Sequence, residues 1–153
     1  MRALVTGVKA AVALLAWLVL ADLAGVILLT LVDVLPLRFN SALLAYAVWL
    51  VLGVFCGLFA YNTGGRWALP LGYDDGGAND WTGQPGARRA GTVAMVAAIL
   101  VLGALSALFH EFYWSKGVAG EYYVPDSAAH SLVFFGSVLA GMALSRWALM
   151  PET

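Results

Sequence analysis

The chain has 153 residues, of which 62% are hydrophobic and 11% are charged, and its formal net charge is −1. Soluble globular domains are about 45–50% apolar and about 25% charged, so this composition excludes an ordinary soluble domain and indicates an integral membrane protein. The eight lysines and arginines are scattered rather than gathered into a basic patch, and we therefore expect no binding to nucleic acid.

Four apolar runs in the sequence are long enough to cross a membrane. A helix that spans about 30 Å of hydrocarbon needs roughly 20 residues. We predict a single all-α domain, residues 1–153, folded as a membrane four-helix bundle with spans at about 10–32, 42–61, 90–112 and 128–150. The first run is too long to be the apolar region of a cleaved signal peptide, which has roughly 7–15 residues.

The basic residues near the ends of the runs predict an orientation. An even number of spans places both termini on one side, and that side would carry Arg2, Lys9, Arg66, Arg88, Arg89 and Arg146. Short loops rich in Lys and Arg stay in the cytoplasm. We therefore expect both termini and a long loop, 62–89, to be cytoplasmic, an outer loop to cover 113–127, and the protein to lie in the inner (plasma) membrane.

Each run contains two small residues spaced four apart, which is typical of helices that pack closely in lipid. The pairs are Ala21 and Gly25, Gly53 and Gly57, Gly103 and Ala107, and Gly136 and Ala140. We expect all four pairs to lie at helix contacts inside the bundle.

The only two histidines, His110 and His130, flank the outer loop, and each begins a helical stripe of small or polar residues. The stripes are expected to face the bundle interior; they hold Gly103, Ser106 and Ala107 for His110, and Phe134, Ser137 and Gly141 for His130. One interpretation is a Zn²⁺, Mn²⁺ or Cu²⁺ site with His110, His130, Glu111, Glu121 and Asp126 as ligands, and another is a b-type haem held between the histidines. "HEFYW" lacks the second histidine of HExxH, which excludes that metalloprotease motif.

A plainer interpretation makes the same stretch a polar turn that docks a partner protein. The histidines would then cap or bridge helix ends. Aromatic side chains interspersed with charges are enriched at protein interfaces, and here they are Phe112, Tyr113, Trp114, Tyr122 and Tyr123.

Two carboxylates lie within or at the end of the first run, on nearly one helix face. Asp22 is near its middle and Asp33 follows eleven residues later. A carboxylate inside the membrane is costly and therefore a functional candidate. We expect Asp22 to meet Ser106, Ser137 or a basic group of another protein; a proton or cation path and a purely structural hydrogen bond are the other interpretations.

The sequence thus favours a non-catalytic subunit or scaffold of a larger inner-membrane complex, with no cofactor. Its expected partners are lipid and other membrane subunits or further copies of the chain. The alternatives are a metal- or haem-binding protein that uses His110 and His130, or a small ion-coupled carrier that uses Asp22.

Overall fold

The computed structural model of the protein describes residues 2–34, 41–68, 85–109 and 128–148, with side chains described at 3–32, 34, 43–64, 86–108 and 128–147. These ranges form four α-helices, and the predicted all-helical architecture is confirmed. The helices are α1 (Arg2–Val34), α2 (Ser41–Ala68), α3 (Pro85–Phe109) and α4 (Ala128–Ala148). Each of them is long and apolar enough to cross a membrane, which indicates a multi-pass membrane protein.

The helices form a bundle in which α1 and α4 lie at opposite corners. Both of these helices pack against α2 and α3, but they scarcely touch each other. Contacts at matching levels show that α2 and α4 run in the same direction, since Tyr46 contacts His130 near one end and Asn62 contacts Ser145 near the other. The starts of α1 and α3 and the ends of α2 and α4 therefore lie at one end of the bundle.

Three helices extend beyond the predicted spans, and tertiary packing explains the extensions. The first helix begins at Arg2 rather than near residue 10, because Thr6 is already buried and Gly7 already packs against Ala94. Its 33 residues correspond to roughly 50 Å. The predicted loop 62–89 is helical at both ends, 62–68 and 85–89.

The extension of α2 crosses the sequence "NTGG", which had been expected to end it. Gly64 is buried there, and a Cβ at this position would meet the Met95 side chain and would lie 3.7 Å from the Ala10 Cα. The interface with α1 and α3 thus holds this turn helical despite the low helix propensity of glycine. At the start of α3, Pro85 occupies the first helical position, where its missing N–H costs nothing.

The closest helix contact joins α2 to α4, backbone against backbone. A Cβ built on Gly57 would overlap the Val138 carbonyl oxygen, and it would lie 2.8 Å from the Met142 nitrogen and 3.0 Å from the Gly141 Cα. Gly53 meets the same helix one turn away, at Ser137. In lipid, where apolar burial does not drive helices together, such close approach supplies the packing energy.

The core lies between the four helices and is filled by large apolar side chains. The largest of those that are completely enclosed are Trp49, Tyr61, Phe134, Leu14, Met95 and Ile99. The Trp49 ring occupies the space beside Gly25, and its edge meets the Phe134 ring at a centroid separation of 5.6 Å. The centre of the bundle is therefore packed by side chains from all four helices.

The prediction for the small residues is confirmed for three helices and wrong for α4. Both residues of the pair are buried in α1 (Ala21 and Gly25) and in α2 (Gly53 and Gly57). In α3, Gly103 is buried and Ala107 is half-buried, whereas in α4 Gly136 and Ala140 are exposed on the outside of the bundle. The α2–α4 contact uses Ser137 and Gly141 instead. These lie one position further along the helix, about 100° around its axis.

Candidate functional site

His130 lies inside the bundle in the first turn of α4. Its side chain is buried, and its ring stacks obliquely on Tyr46 of α2 with the centroids 4.1 Å apart. The other members of its stripe, Phe134, Ser137 and Gly141, are buried as well. The prediction that this stripe faces the interior is therefore confirmed, and His130 joins α4 to α2.

Two serines link α3 to α4 close to His130. The Ser106 and Ser131 hydroxyl oxygens lie 3.0 Å apart, so one of them donates a hydrogen bond to the other. Ser131 is completely buried, and a buried hydroxyl without a partner would be costly. This pair fixes the register of α3 against α4 and leaves Ser106 engaged with another helix.

The remaining residues predicted around the histidines lie outside the described residues. This holds for the ligands predicted beside His130, which are His110, Glu111, Glu121 and Asp126, and for the aromatic docking residues Phe112, Tyr113, Trp114, Tyr122 and Tyr123. Among the residues that the structure does describe, no three His, Cys, Asp or Glu side chains gather as they would around a metal ion. The metal, haem and docking interpretations of the outer loop stay predictions.

Asp22 lies at the margin of the buried side of α1. It is half-buried, between Leu18 and Gly25, which are both buried. The expected serine partners are engaged elsewhere: the Ser137 hydroxyl donates to the Val133 carbonyl oxygen at 2.6 Å, and Ser106 pairs with Ser131. The prediction of a bond from Asp22 to either serine is wrong, because Ser137 donates within α4 and Ser106 is paired with Ser131, whereas the Asp22 carboxyl lies near Cys56 of α2.

Asp33, the second predicted acid, is in the last turn of α1, and its side chain lies outside the described residues. Leu15, on the face shared with Asp22, is 43% exposed. Leu18 on the same face is buried, so the described part of this face lies between the core and the outside of the bundle.

A polar cluster at the other end of the bundle was not predicted from the sequence. The Arg88 guanidinium Nε donates to the Tyr61 hydroxyl oxygen at 3.4 Å, which joins α3 to α2. The Thr92 hydroxyl donates to the Arg88 carbonyl oxygen at 2.8 Å and lies 3.4 Å from the Tyr61 hydroxyl oxygen. The Ser145 hydroxyl donates to the Asn62 amide oxygen at 3.2 Å, which joins α4 to α2. Arg88 and Thr92 are one helical turn apart, and that spacing was the available signal.

The charge on the described helices is distributed unevenly along the bundle. The described basic side chains are all at the end where the chain begins; they are Lys9, Arg88, Arg89 and Arg146. The opposite end and the middle contain none of them. Asp22 therefore lies in a part of the bundle without a neighbouring cation from the described helices.

The outward face of α4 is unusual because its middle holds only small side chains. Gly136, Ala140 and Ala143 are exposed there, and nothing lies within 4 Å of a Cβ built on Gly136. Leu132 and Leu144 border this stretch. We call Gly136, Ala140 and Ala143 the small-residue face of α4.

Comparison of the whole chain with protein-family models, with curated proteins and with solved structures finds no match.

Proposed function

We propose that the chain is a non-catalytic subunit or scaffold of a larger complex in the inner membrane. The observation that carries this proposal is the small-residue face of α4. Everywhere else in the described bundle, mid-span glycines meet another helix: Gly25, Gly53, Gly57, Gly103 and Gly141. Gly136 has the same kind of position on a helix but no neighbour.

The occupant that fits this face is a transmembrane helix of another subunit. Lipid tails cover large apolar side chains without penalty, whereas small residues in a row allow a second helix backbone to approach. The outward faces of α1 and α2 carry large apolar side chains, for example Leu20, Leu23, Phe55 and Phe59. The small-residue face is bordered by leucines twelve residues apart, about 18 Å of helix, which is long enough for two to three turns of a partner.

The distribution of basic residues supports the proposed orientation. Arg88, Arg89 and Arg146 lie at the same end of the bundle as Lys9 of α1. Basic residues at the ends of membrane spans favour the cytoplasmic side. Both termini would thus be cytoplasmic, and the histidine end of the bundle would face outward.

Gly136→Leu tests the proposal, with Ala97→Leu as the matched control. Ala97 is also small, mid-span and exposed, but on α3. Each tagged full-length variant is extracted from its native membrane in mild detergent, and the co-purifying proteins are quantified by mass spectrometry. We expect at least one membrane protein to be recovered in fixed ratio with the wild type and the Ala97 variant, and to fall at least tenfold with the Gly136 variant.

The same purified material separates the competing functions. A wild-type chain that elutes alone would refute the subunit proposal, and one that elutes as a pure homo-oligomer would replace it with self-association. Metal analysis and an absorbance scan of that peak address the site at the histidines. A stoichiometric metal or a haem spectrum that disappears in His130→Ala would favour the binding-protein alternative.

A further inference from the structure

Asp22 lies near the middle of the apolar thickness of the bundle. Its depth follows from two contacts that bracket it: the Trp17 ring stacks on Phe59 at a centroid distance of 5.1 Å, and Gly25 packs against Trp49. Since α1 and α2 are antiparallel, Asp22 is opposite the segment between Trp49 and Phe59. That segment is the centre of the apolar stretch Leu43–Gly64 of α2.

No hydrogen bond or ion pair joins Asp22 to another residue of the described helices. The nearest described basic residue along its own helix, Lys9, is thirteen residues away, which is about 20 Å of helix. Arg88 and Arg146 are at the same end of the bundle as Lys9. The carboxyl group therefore has no cation of this chain's described helices at its depth.

Asp22 lies at the edge between the buried and the exposed sides of α1, and its carboxyl group is near enough to the buried Cys56 of α2 to interact with it electrostatically. Leu15 is seven residues earlier than Asp22 and almost in line with it, and Leu15 and Leu23 are both exposed. On the inner side of α1, Leu14 is completely buried, and Trp49 and Met95 fill the space from α2 and α3. A route for ions or protons through the bundle would have to pass these enclosed side chains.

We propose that Asp22 is the acceptor for a lysine or arginine in the membrane span of a partner subunit. Carboxylates inside membrane spans are expensive and pair with a basic group when they stay ionised. The described basic residues of a second copy cannot supply that group, because they lie at one end of the bundle in either relative orientation. We accordingly assign the donor to a different protein, an inference that rests on the proposed function as a subunit, and a crosslink from this site to a second copy of the chain would overturn it.

The first step of the test replaces Leu23 with a photo-crosslinking amino acid in the full chain. After irradiation of native membranes, the crosslinked peptide is sequenced. We expect it to come from a membrane span that contains a Lys or Arg near its middle. A crosslinked span without a basic residue, or crosslinking only to lipid, would overturn the inference.

The second step exchanges the charges. Asp22→Asn preserves the shape of the side chain and removes its charge, Asp22→Glu preserves the charge, and Leu23→Asn controls for the insertion of an amide on the same helix. We expect recovery of the crosslinked partner to fall at least tenfold with Asp22→Asn and to be kept with the other two. Asp22→Lys combined with Glu in place of the partner's basic residue should restore recovery, which also shows that the variant chain folds.

Failure of this inference can be distinguished from failure of the proposed function. If Asp22→Asn retains its partner while Gly136→Leu loses one, the subunit proposal stands and the ion pair is refuted. If Asp22→Asn retains its partner but abolishes a proton-dependent flux in proteoliposomes, the acid serves transport instead. If the wild type recovers no partner at all, both proposals fail.

Discussion

Gly57→Ala is the sharpest test of the α2–α4 contact, with Gly136→Ala as its matched control. Both substitutions add one methyl group to a glycine in the middle of a helix. At Gly57 the methyl would overlap backbone atoms of α4, the carbonyl oxygen of Val138 and the nitrogen of Met142 among them. At Gly136 it would meet nothing within 4 Å. The local gain in helix propensity, about 0.8–1.0 kcal/mol, is common to both variants.

The difference between the two variants therefore isolates the cost of overpacking. Extra methyl groups in a packed interior cost typically about 1–3 kcal/mol. Because the obstructing atoms at Gly57 are backbone and cannot rotate away, we expect the upper end of that range. The free energy of unfolding of Gly57→Ala should be about 3 kcal/mol below that of Gly136→Ala, which corresponds to more than a hundredfold in the unfolding equilibrium.

The measurement is an SDS titration of each purified chain in mixed micelles, followed by far-UV circular dichroism. Reversibility has to be checked by refolding into SDS-free micelles, because the comparison needs a two-state equilibrium. If the two variants unfold at the same SDS fraction, α2 and α4 do not approach at Gly57, and the argument for the close glycine contact is refuted.

The same titration checks two further expectations. Trp49→Ala should lower the free energy of unfolding by about 3–5 kcal/mol, because it removes a completely buried ring. Trp147 is 76% exposed and serves as the control. Trp147→Ala should change the free energy of unfolding by less than about 0.5 kcal/mol. Equal effects of the two substitutions would contradict the assigned core. A double-mutant cycle of Ser106→Ala and Ser131→Ala should give a coupling of about 0.6 kcal/mol, the average for hydrogen bonds between membrane helices, and additive effects would show that the two hydroxyls do not bond.

The number and type of the helices could be predicted from the sequence because lipid imposes a length rule. A span needs roughly 20 apolar residues, and four such runs are visible. The positions at which the helices begin and end were less predictable from the sequence. The α2 helix passes through "NTGG" because Gly64 is buried against α1 and α3 and the Asn62 amide oxygen accepts a bond from α4, and neither contact is local in sequence.

The orientation of the helix faces was only partly predictable, and α4 shows why. Both Gly136 with Ala140 and Ser137 with Gly141 satisfy the spacing of a small-residue contact. The two pairs differ by one position, and a membrane helix has apolar residues on all sides, so polarity does not indicate which side is inside. His130 gave the better signal, because a polar side chain marks the interior face of a membrane helix, and its stripe is buried.

The two proposed contact surfaces lie on helices at opposite corners of the bundle, so that substitutions in them can release different partners. The small-residue face belongs to α4, whereas Asp22 belongs to α1, and these helices scarcely touch. A helix with its side chains is about 10–12 Å across, so a single partner helix packed on one of these surfaces cannot also cover the other. Gly136→Leu and Asp22→Asn should therefore release different neighbours if the chain lies between two proteins. Loss of the same protein in both variants would require a partner with at least two membrane spans, one on each side of the bundle.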